Sequence, residues 1–194
     1  MLARAGTPSP ALDAALLLRN VLGATAEYVA AYPNEILTAA AAAQFHKLID
    51  RRSEREPVAY LTGTKDFFGR PFSVTRNVLI PRPESELLIE EALRRVRQHA
   101  VVAIADIGTG SGCLAVTLAL TLPRSSISAT DVSQAALGVA RTNAERYGVA
   151  GQIRFLRGSL LEPVADQPFD LIIANLPYVP NNELAENADL AFEP

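Results

Sequence analysis

The segment Asn175-Leu176-Pro177-Tyr178 follows directly on a mostly apolar run, residues 169–174. Such a run predicts a buried strand, so the four residues stand at its carboxyl end. The Asn175 side-chain oxygen and the Leu176 backbone carbonyl can each accept one N–H of a planar amino group, and the Tyr178 ring can lie against its face. The segment therefore indicates methyl transfer to an amide or nucleobase nitrogen; taken alone, it also fits a simple turn after a strand.

A second segment that could bind a ligand is the glycine-rich turn Ile107-Gly108-Thr109-Gly110-Ser111-Gly112, which lies between the apolar runs 101–106 and 113–122. It predicts a strand-to-helix junction at which the backbone can approach a ligand without interference from a Cβ. The dinucleotide-binding fingerprint would require glycine or alanine where Cys113 stands, and the acidic Asp106 precedes the first glycine. A carboxylate repels a pyrophosphate but tolerates the ammonium and sulfonium groups of S-adenosylmethionine, which the spacing therefore favours.

Three further residues are predicted to contact this cofactor. Asp131 ends the next predicted strand, 126–131, where a carboxylate can chelate both ribose hydroxyls. NAD enzymes use the same arrangement, so Asp131 supports a nucleoside ligand without choosing between cofactors. A helix N-cap role for Asp131 is the alternative, although Ser133 can cap that helix itself. Ser159 and Leu160 follow the third short strand, at the position where an adenine usually lies.

Segments ahead of the glycine-rich turn carry a family resemblance. They are Arg52–Gly63, Phe67-Phe68-Gly69 and Val78–Glu86, the last of which contains Pro81-Arg82-Pro83-Glu84-Ser85-Glu86. Together with the turn and the Asn175 segment, they make the chain resemble the release factor glutamine methyltransferases over nearly its whole length. That family methylates the side-chain amide of the Gln in the Gly-Gly-Gln motif of bacterial class 1 release factors. The family usually has Thr where Ser85 stands, so the hydroxyl is kept.

The resemblance implies an α/β fold: a Rossmann-like class I S-adenosylmethionine-dependent methyltransferase sheet with a small helical N-terminal domain. It implies a helical substrate-recognition domain over 1–64, a hairpin-like connector over 65–83 and the methyltransferase domain over 84–194. The implied partners are peptide chain release factors, bound by a monomer in the cytoplasm without general nucleic-acid binding. Substrate contacts are assigned to Arg82, Glu84 and the Asn175 segment, and Asn175 is also expected to touch the cofactor.

One position departs from the family pattern. The tetrapeptide is normally Asn-Pro-Pro-Tyr, and here Leu176 takes its second place. Leucine supplies the same backbone carbonyl, and Pro177 favours an extended Leu176. The form Asn-Leu-Pro-Tyr also looks like that of rRNA adenine dimethylases, so an adenine N6-methyltransferase acting on RNA or DNA is the rival interpretation. A net charge of −3, from 18 basic and 21 acidic residues, argues against a general RNA binder.

Periodicity predicts the remaining elements. Helices are expected at 10–22 behind a Ser9 cap, 24–31, 38–52, 84–98, 113–122 and 133–146, a hairpin at 67–74, and strands at about 101–106, 126–131, 152–156 and 169–174. The helix at 84–98 is expected to be amphipathic, with an apolar stripe formed by Leu87, Leu88, Ile89, Ala92, Leu93 and Val96. The arginines at 51, 52 and 55 fit a solvated helix end, although a basic N-terminal part could also meet an acidic partner. Neither of the two histidines has other metal-binding residues at a spacing typical of a metal site, so no metal site is expected. A single cysteine excludes an internal disulfide.

The family's sheet has seven strands in the order 3-2-1-4-5-7-6, and only four are predicted here. We therefore expect a chain that lacks the last strands of the domain, with residues 171–174 as an exposed apolar edge. Such a form could be inactive and act only as a binding module.

Overall fold

The computed structural model describes residues 1–96, 101–176 and 190–194. These residues form two compact units, one built on Met1–Gly63 and one that begins at Thr64 and includes Glu193–Pro194. Among the residues described, no helix combines the length and the hydropathy needed to cross a bilayer.

The first unit is helical. Its helices are α1 Pro10–Leu22, α2 Ala26–Ala31, α3 Ala39–Ser53 and α4 Val58–Thr62. Threonine hydroxyls cap two of them: Thr25 accepts the Tyr28 N–H and Thr38 accepts the Ala41 N–H. A small core of Leu2, Leu17, Leu48, Ile49 and Leu61 holds the helices together.

The prediction of a solvated helix end is wrong for Arg52. Arg52 is 4% exposed, and its guanidinium donates to the Asp13 carboxylate at 2.8 Å. Arg51 forms two hydrogen bonds with Glu56, and Arg55 donates to the Gly6 carbonyl. Burial of a charge requires such pairing, and the Arg52 and Arg55 contacts connect parts of the helical unit that are 39 and 49 residues apart in the chain.

The second unit opens with a hairpin and continues as a parallel sheet. Its strands are β1 Thr64–Phe67, β2 Arg70–Ser73, β3 Ala103–Ile107, β4 Ser126–Asp131, β5 Ile153–Arg157 and β6 Leu171–Ala174. Its helices are α5 Glu86–Arg95, α6 Cys113–Thr121 and α7 Gln134–Arg146, with 3-10 turns at Pro83–Ser85, Ala150–Gln152 and Glu162–Val164. A further 3-10 turn, Leu190–Phe192, lies outside this unit. Strands β3 to β6 lie in the order β5-β4-β3-β6, all parallel. This is the predicted 3-2-1-4 arrangement, and it confirms the fold class.

The sheet core explains why these segments form strands and helices. The central strands β3 and β4 are almost entirely buried, as expected of parallel strands covered by helices. Helix α6 is buried over seven consecutive residues, from Cys113 to Ala119. Among the described strands, β6 forms one edge of the four-stranded sheet, and its residue Ile172 is 51% exposed.

Several predicted boundaries differ from the structure. The helix predicted at 84–98 starts as the 3-10 turn and becomes α-helical only at Glu86. Leu87, assigned to its apolar stripe, is 63% exposed because Ile89 and Ala92 define the buried face. Ser9 makes no side-chain cap on α1, and α4 was not predicted because five residues are too short for a periodic signal.

Asn143 on α7 joins the hairpin to the glycine-rich turn. Its Oδ1 accepts the Ser73 N–H at 2.8 Å, while Nδ2 donates to the carbonyls of Ser73 and Ser111 at 3.0 and 2.8 Å. Since Asn143 is fully buried, Asn143→Ala would leave these backbone groups unpaired and is expected to cost about 3 kcal/mol of unfolding free energy. Urea denaturation measures the loss.

The matched control is Asn20→Ala, because Asn20 is exposed on α1. It is expected to change the free energy of unfolding by less than about 0.5 kcal/mol. Equal effects of the two substitutions would show that the Asn143 hydrogen bonds do not stabilise the fold.

Candidate functional site

A cavity of about 360 Å³ lies at the carboxyl ends of β3, β4 and β6. This edge is where open α/β sheets bind ligands, and the volume suits a small organic molecule. Seven residues predicted for the site line it: Gly108, Gly110, Asp131, Ser159, Leu160, Asn175 and Leu176. The structure thus brings together residues from four separate segments of the chain.

The glycine-rich turn forms one wall of the cavity. Gly108 and Gly110 line it with φ angles of 69° and 54°, which residues other than glycine rarely adopt. A Cβ on Gly108 would lie 2.7 Å from Cδ2 of Leu176, so a side chain at this position would displace the end of the Leu176 side chain. The wall therefore offers backbone, rather than side chains, to a ligand.

Thr109, Ser111 and Gly112 lie behind this wall. The Thr109 N–H donates to the Thr130 carbonyl at 2.9 Å, and the Gly112 N–H donates back to the Thr109 carbonyl at 2.8 Å. A Cβ on Gly112 would lie 2.9 Å from that of Ala140, so glycine allows α7 to approach the turn. These residues shape the turn, and the structure does not place them among the cavity-lining residues.

Asp106 also lies behind the turn rather than facing the cavity. It is fully buried, and its Oδ2 accepts the Thr109 hydroxyl at 2.7 Å and the Ala115 N–H at 3.2 Å. Its Oδ1 has no hydrogen-bond partner within the described ranges. Burial raises the pKa of the Asp106 carboxyl to about 6, against the opposing effect of the two hydrogen bonds. The carboxyl thus organises the turn from inside.

The raised pKa of Asp106 predicts a pH-dependent stability. In the folded protein this carboxyl keeps its proton up to about pH 6, whereas the unfolded chain releases it near pH 4. The folded state binds more protons in that window, so its contribution to stability is full below about pH 4 and falls as the pH rises through 6. Over the whole window the expected loss is about 3 kcal/mol.

Urea unfolding of the wild-type protein and of Asp106→Asn between pH 4 and pH 7.5 measures this loss. The asparagine cannot titrate, so the difference in stability between the two proteins should narrow, or reverse, as the pH rises. Parallel pH profiles for the two proteins would contradict the assignment of the titration to Asp106.

Asp131 lies at the cavity with both carboxylate oxygens held by backbone. Oδ2 accepts the Gly110 N–H at 3.0 Å, and Oδ1 accepts the Ser133 N–H at 2.9 Å. Each carboxylate oxygen retains a further lone pair, so a vicinal diol could donate to both. Ser133 itself caps α7 by accepting the Ala136 N–H, which leaves Asp131 free of that role.

Ser159 and Leu160, which follow β5, also line the cavity. Leu160 has a φ of 47°, an unfavourable conformation for leucine that is held by a 2.9 Å hydrogen bond from the Thr130 hydroxyl to the Leu160 carbonyl. Backbone strain of this kind concentrates at ligand sites. The leucine side chain is 54% exposed and offers an apolar surface to a flat ring.

Asn175 follows β6 directly and lines the same cavity. Its Nδ2 donates to the Ser85 hydroxyl at 2.7 Å, so Oδ1 is the amide atom left to accept hydrogen bonds. Leu176 lies beside it against Gly108. Pro177 and Tyr178 lie outside the described residues.

Arg82 and Glu84, predicted to bind substrate, are not among the cavity-lining residues. Arg82 forms an ion pair with the Glu193 carboxylate, which also accepts the Ile80 N–H. The Glu84 side chain is exposed on the 3-10 turn.

Sequence reasoning missed part of the cavity wall. Asn77, Val78 and Leu79 from the connector contribute to it, as do Val132 and Ala136 next to Asp131. The residues after Asp131 could have been inferred from their position at the end of β4. Nothing in the pattern of the connector indicated that it reaches the cavity.

The residues present fit S-adenosylmethionine. The open backbone at Gly108 and Gly110 accommodates a close ligand, Asp131 offers two acceptors to a ribose diol, and the cavity has a suitable volume. The acceptor Asn175 stands at the same cavity, as transfer from a bound donor to a nearby nitrogen would require.

Comparison with known proteins agrees with this geometry. The family model for the PrmC N-terminal domain matches residues 1–63, and the methyltransferase small domain model matches residues 83–192. The release factor glutamine methyltransferase of Moorella thermoacetica is 41% identical over 194 residues, covering 100% of this chain and 69% of that protein. The Bordetella pertussis protein of the same name is 41% identical over 188 residues, covering 95% of this chain and 68% of that protein.

Among solved structures, an S-adenosylmethionine-dependent methyltransferase from Thiobacillus denitrificans, in complex with S-adenosyl-L-homocysteine, is 31% identical. The match has a TM-score of 0.40 and covers 48% of this chain and 36% of that chain.

The methyltransferase domain and the similarity over nearly all of this chain confirm the predicted enzyme class, an S-adenosylmethionine-dependent methyltransferase. The chain belongs to the release factor glutamine methyltransferase family.

Proposed function

We propose that this protein transfers a methyl group from S-adenosylmethionine to the side-chain amide nitrogen of the Gln in the Gly-Gly-Gln motif of peptide chain release factors. The observation that carries the proposal is the position of Asn175. It follows β6 directly, at the same cavity as Gly108, Gly110 and Asp131, and its side-chain nitrogen donates one hydrogen bond to Ser85. An amide oxygen so placed is suited to accept an N–H from a second amide.

The cofactor would be held by three parts of the cavity. The turn at Gly108 and Gly110 would lie along its amino-acid part, Asp131 would accept the ribose hydroxyls, and Ser159 with Leu160 would lie against the adenine. Bound there, S-adenosylmethionine supplies an electrophilic methyl group, whose C–S bond breaks as the new N–C bond forms.

The chain's own residues would act on the amide nitrogen. An amide nitrogen is a poor nucleophile, because its lone pair is delocalised into the carbonyl. Asn175 Oδ1 and the Leu176 carbonyl would accept its two N–H groups, orienting it towards the methyl group and stabilising the positive charge that develops. Directly after transfer the amide nitrogen carries the methyl group, both of its protons and a positive charge. This cation is strongly acidic, so it loses one proton to solvent. From the sequence, the Tyr178 ring is predicted to lie against the face of the same amide, and Pro177 to favour an extended Leu176.

The helical unit is proposed to recognise the release factor. Its α2 region presents aromatic and apolar side chains to solvent: Tyr28 and Tyr32, whose rings lie 4.9 Å apart, and Ile36, which is 93% exposed. Exposed apolar side chains that stand close together in the chain are candidates for a protein-binding surface. A release factor substrate places the reaction in the cytoplasm.

The experiment is transfer of labelled methyl from S-adenosylmethionine to a purified release factor and, in parallel, to naked rRNA. It uses this chain and a form extended past Pro194 to the length of the relatives. Label on the release factor that disappears when the Gly-Gly-Gln glutamine is replaced supports the proposal. Label on RNA would favour adenine N6-methylation, the alternative that Leu176 raises, and binding of the release factor without transfer by either form would favour a binding module.

A further inference from the structure

Ser85 stands at the start of α5 but does not cap that helix. It occupies the N-cap position, where a serine hydroxyl usually accepts a backbone N–H of the first turn, and it makes no such bond. The side chain is nevertheless buried, with 4% of the residue exposed. A buried hydroxyl requires a hydrogen-bond partner, so the partner of Ser85 must come from elsewhere in the fold.

That partner is Asn175, 90 residues further along the chain. Asn175 Nδ2 donates to the Ser85 hydroxyl at 2.7 Å, a short and partly buried hydrogen bond. The serine hydroxyl is thus used at the cavity instead of at its own helix.

Neighbouring contacts hold Ser85 in place for this bond. On one side, Arg82 is paired with Glu193, and on the other, the Glu86 carboxylate accepts the Phe68 N–H at 2.7 Å. The Ser85 N–H donates to the Arg82 carbonyl at 3.0 Å within the 3-10 turn. The segment 82–86 is therefore anchored to the hairpin and to the chain at Glu193, and its hydroxyl is presented in a fixed position.

We propose that Ser85 is a positioning residue that fixes which end of the Asn175 side chain is free to receive substrate. The oxygen and nitrogen of an asparagine amide have nearly the same shape, and a half turn of the terminal torsion exchanges them. If the amide were reversed, Asn175 would present N–H groups to the N–H groups of the substrate, and no bond could form. A hydroxyl can accept from Nδ2 or donate to Oδ1. In the structure the Ser85 hydroxyl accepts from Nδ2, and this hydrogen bond holds the orientation in which Oδ1 is available. This inference rests on the proposed function.

The test compares Ser85→Ala and Ser85→Thr with the wild-type protein in steady-state methyl transfer to a release factor. We expect Ser85→Ala to lower kcat about tenfold, the effect of one lost hydrogen bond, with the Kd for S-adenosylmethionine changed less than about twofold. Threonine, the family's usual residue at this position, keeps the hydroxyl and should restore kcat. If the alanine variant does not fold, Ser85→Cys replaces it, since a thiol of similar size bonds only weakly.

The matched control is Ser125→Ala. The Ser125 hydroxyl is also buried, but it has no partner within the described residues and lies at the opposite end of the sheet, before β4. The variant Ser125→Ala should therefore leave kcat unchanged. An unchanged kcat in Ser85→Ala, or an equal loss in Ser125→Ala, would overturn the positioning role.

A second measurement separates this inference from the proposed function. The side-chain amide signal of Asn175 in a nitrogen-15 NMR spectrum, assigned by its absence in Asn175→Ala, should shift in Ser85→Ala and return in Ser85→Thr. If the wild-type protein transfers no methyl group to release factors, the proposed function fails, whereas an Asn175 signal unaffected by Ser85→Ala overturns the Ser85 contact itself.

Discussion

Replacing Asn175 by alanine is expected to lower kcat for methyl transfer by about 10³-fold while leaving the affinity for S-adenosylmethionine within a few fold of the wild-type value. The substitution removes the side-chain oxygen proposed to accept a substrate N–H and the donor that bonds Ser85. It leaves intact the Gly110 contact with Asp131, on which the cofactor end of the cavity depends. Single-turnover transfer and cofactor titration measure the two quantities separately.

The two measurements together decide the role of Asn175. A loss of cofactor affinity as large as the loss of rate would mean that Asn175 supports the cofactor site, and the proposed amide clamp would be rejected. Retention of wild-type rate would also reject it.

The second large effect is expected at Asp131, where Asp131→Ala should weaken S-adenosylmethionine binding about 100-fold. Two contributions add in this prediction. The variant loses the two acceptors proposed for the ribose hydroxyls, each a charge-assisted hydrogen bond. It also frees the Gly110 N–H and the Ser133 N–H, which loosens the wall of the cavity. Isothermal titration with S-adenosylmethionine measures the change in Kd.

Two further variants sharpen this test. Asp131→Asn keeps the size of the side chain and one acceptor oxygen, so its affinity should lie between those of the wild-type protein and the alanine variant. Asp166→Ala removes an exposed carboxylate after β5 and should leave the Kd unchanged, which controls for the loss of one negative charge. An Asp131→Ala variant that binds as tightly as Asp166→Ala would disprove the ribose role.

Much of the methyltransferase fold could be predicted because its signals are local. Apolar runs bounded by polar turns predicted all four parallel strands to within about two residues, and the helix Pro10–Leu22 agrees with its predicted range. Alternation and apolar periodicity depend only on neighbouring residues, so they can be read without knowledge of the partners.

The errors fall where long-range contacts decide the outcome. Arg52 looked like a residue at a solvated helix end, but its guanidinium reaches Asp13 on another helix and is buried with it. Leu87 looked like part of an apolar stripe, but the face set by Ile89 and Ala92 turns it to solvent. Charge pairing and the choice of a buried face depend on which elements pack together, and no local pattern records that.

The same division applies to the site. The sequence by itself determined the chemical groups: a glycine-rich turn after a strand, an acidic residue at the end of the next strand, and Asn175 at the end of the last. Only the tertiary structure decided how they are used. It placed Asp106 behind the turn instead of facing the cavity, and it brought the connector at Asn77 to the wall. It also joined Ser85 to Asn175 across 90 residues. The physical reason is that a hydrogen bond is set by position in space, whereas a motif records only position along the chain.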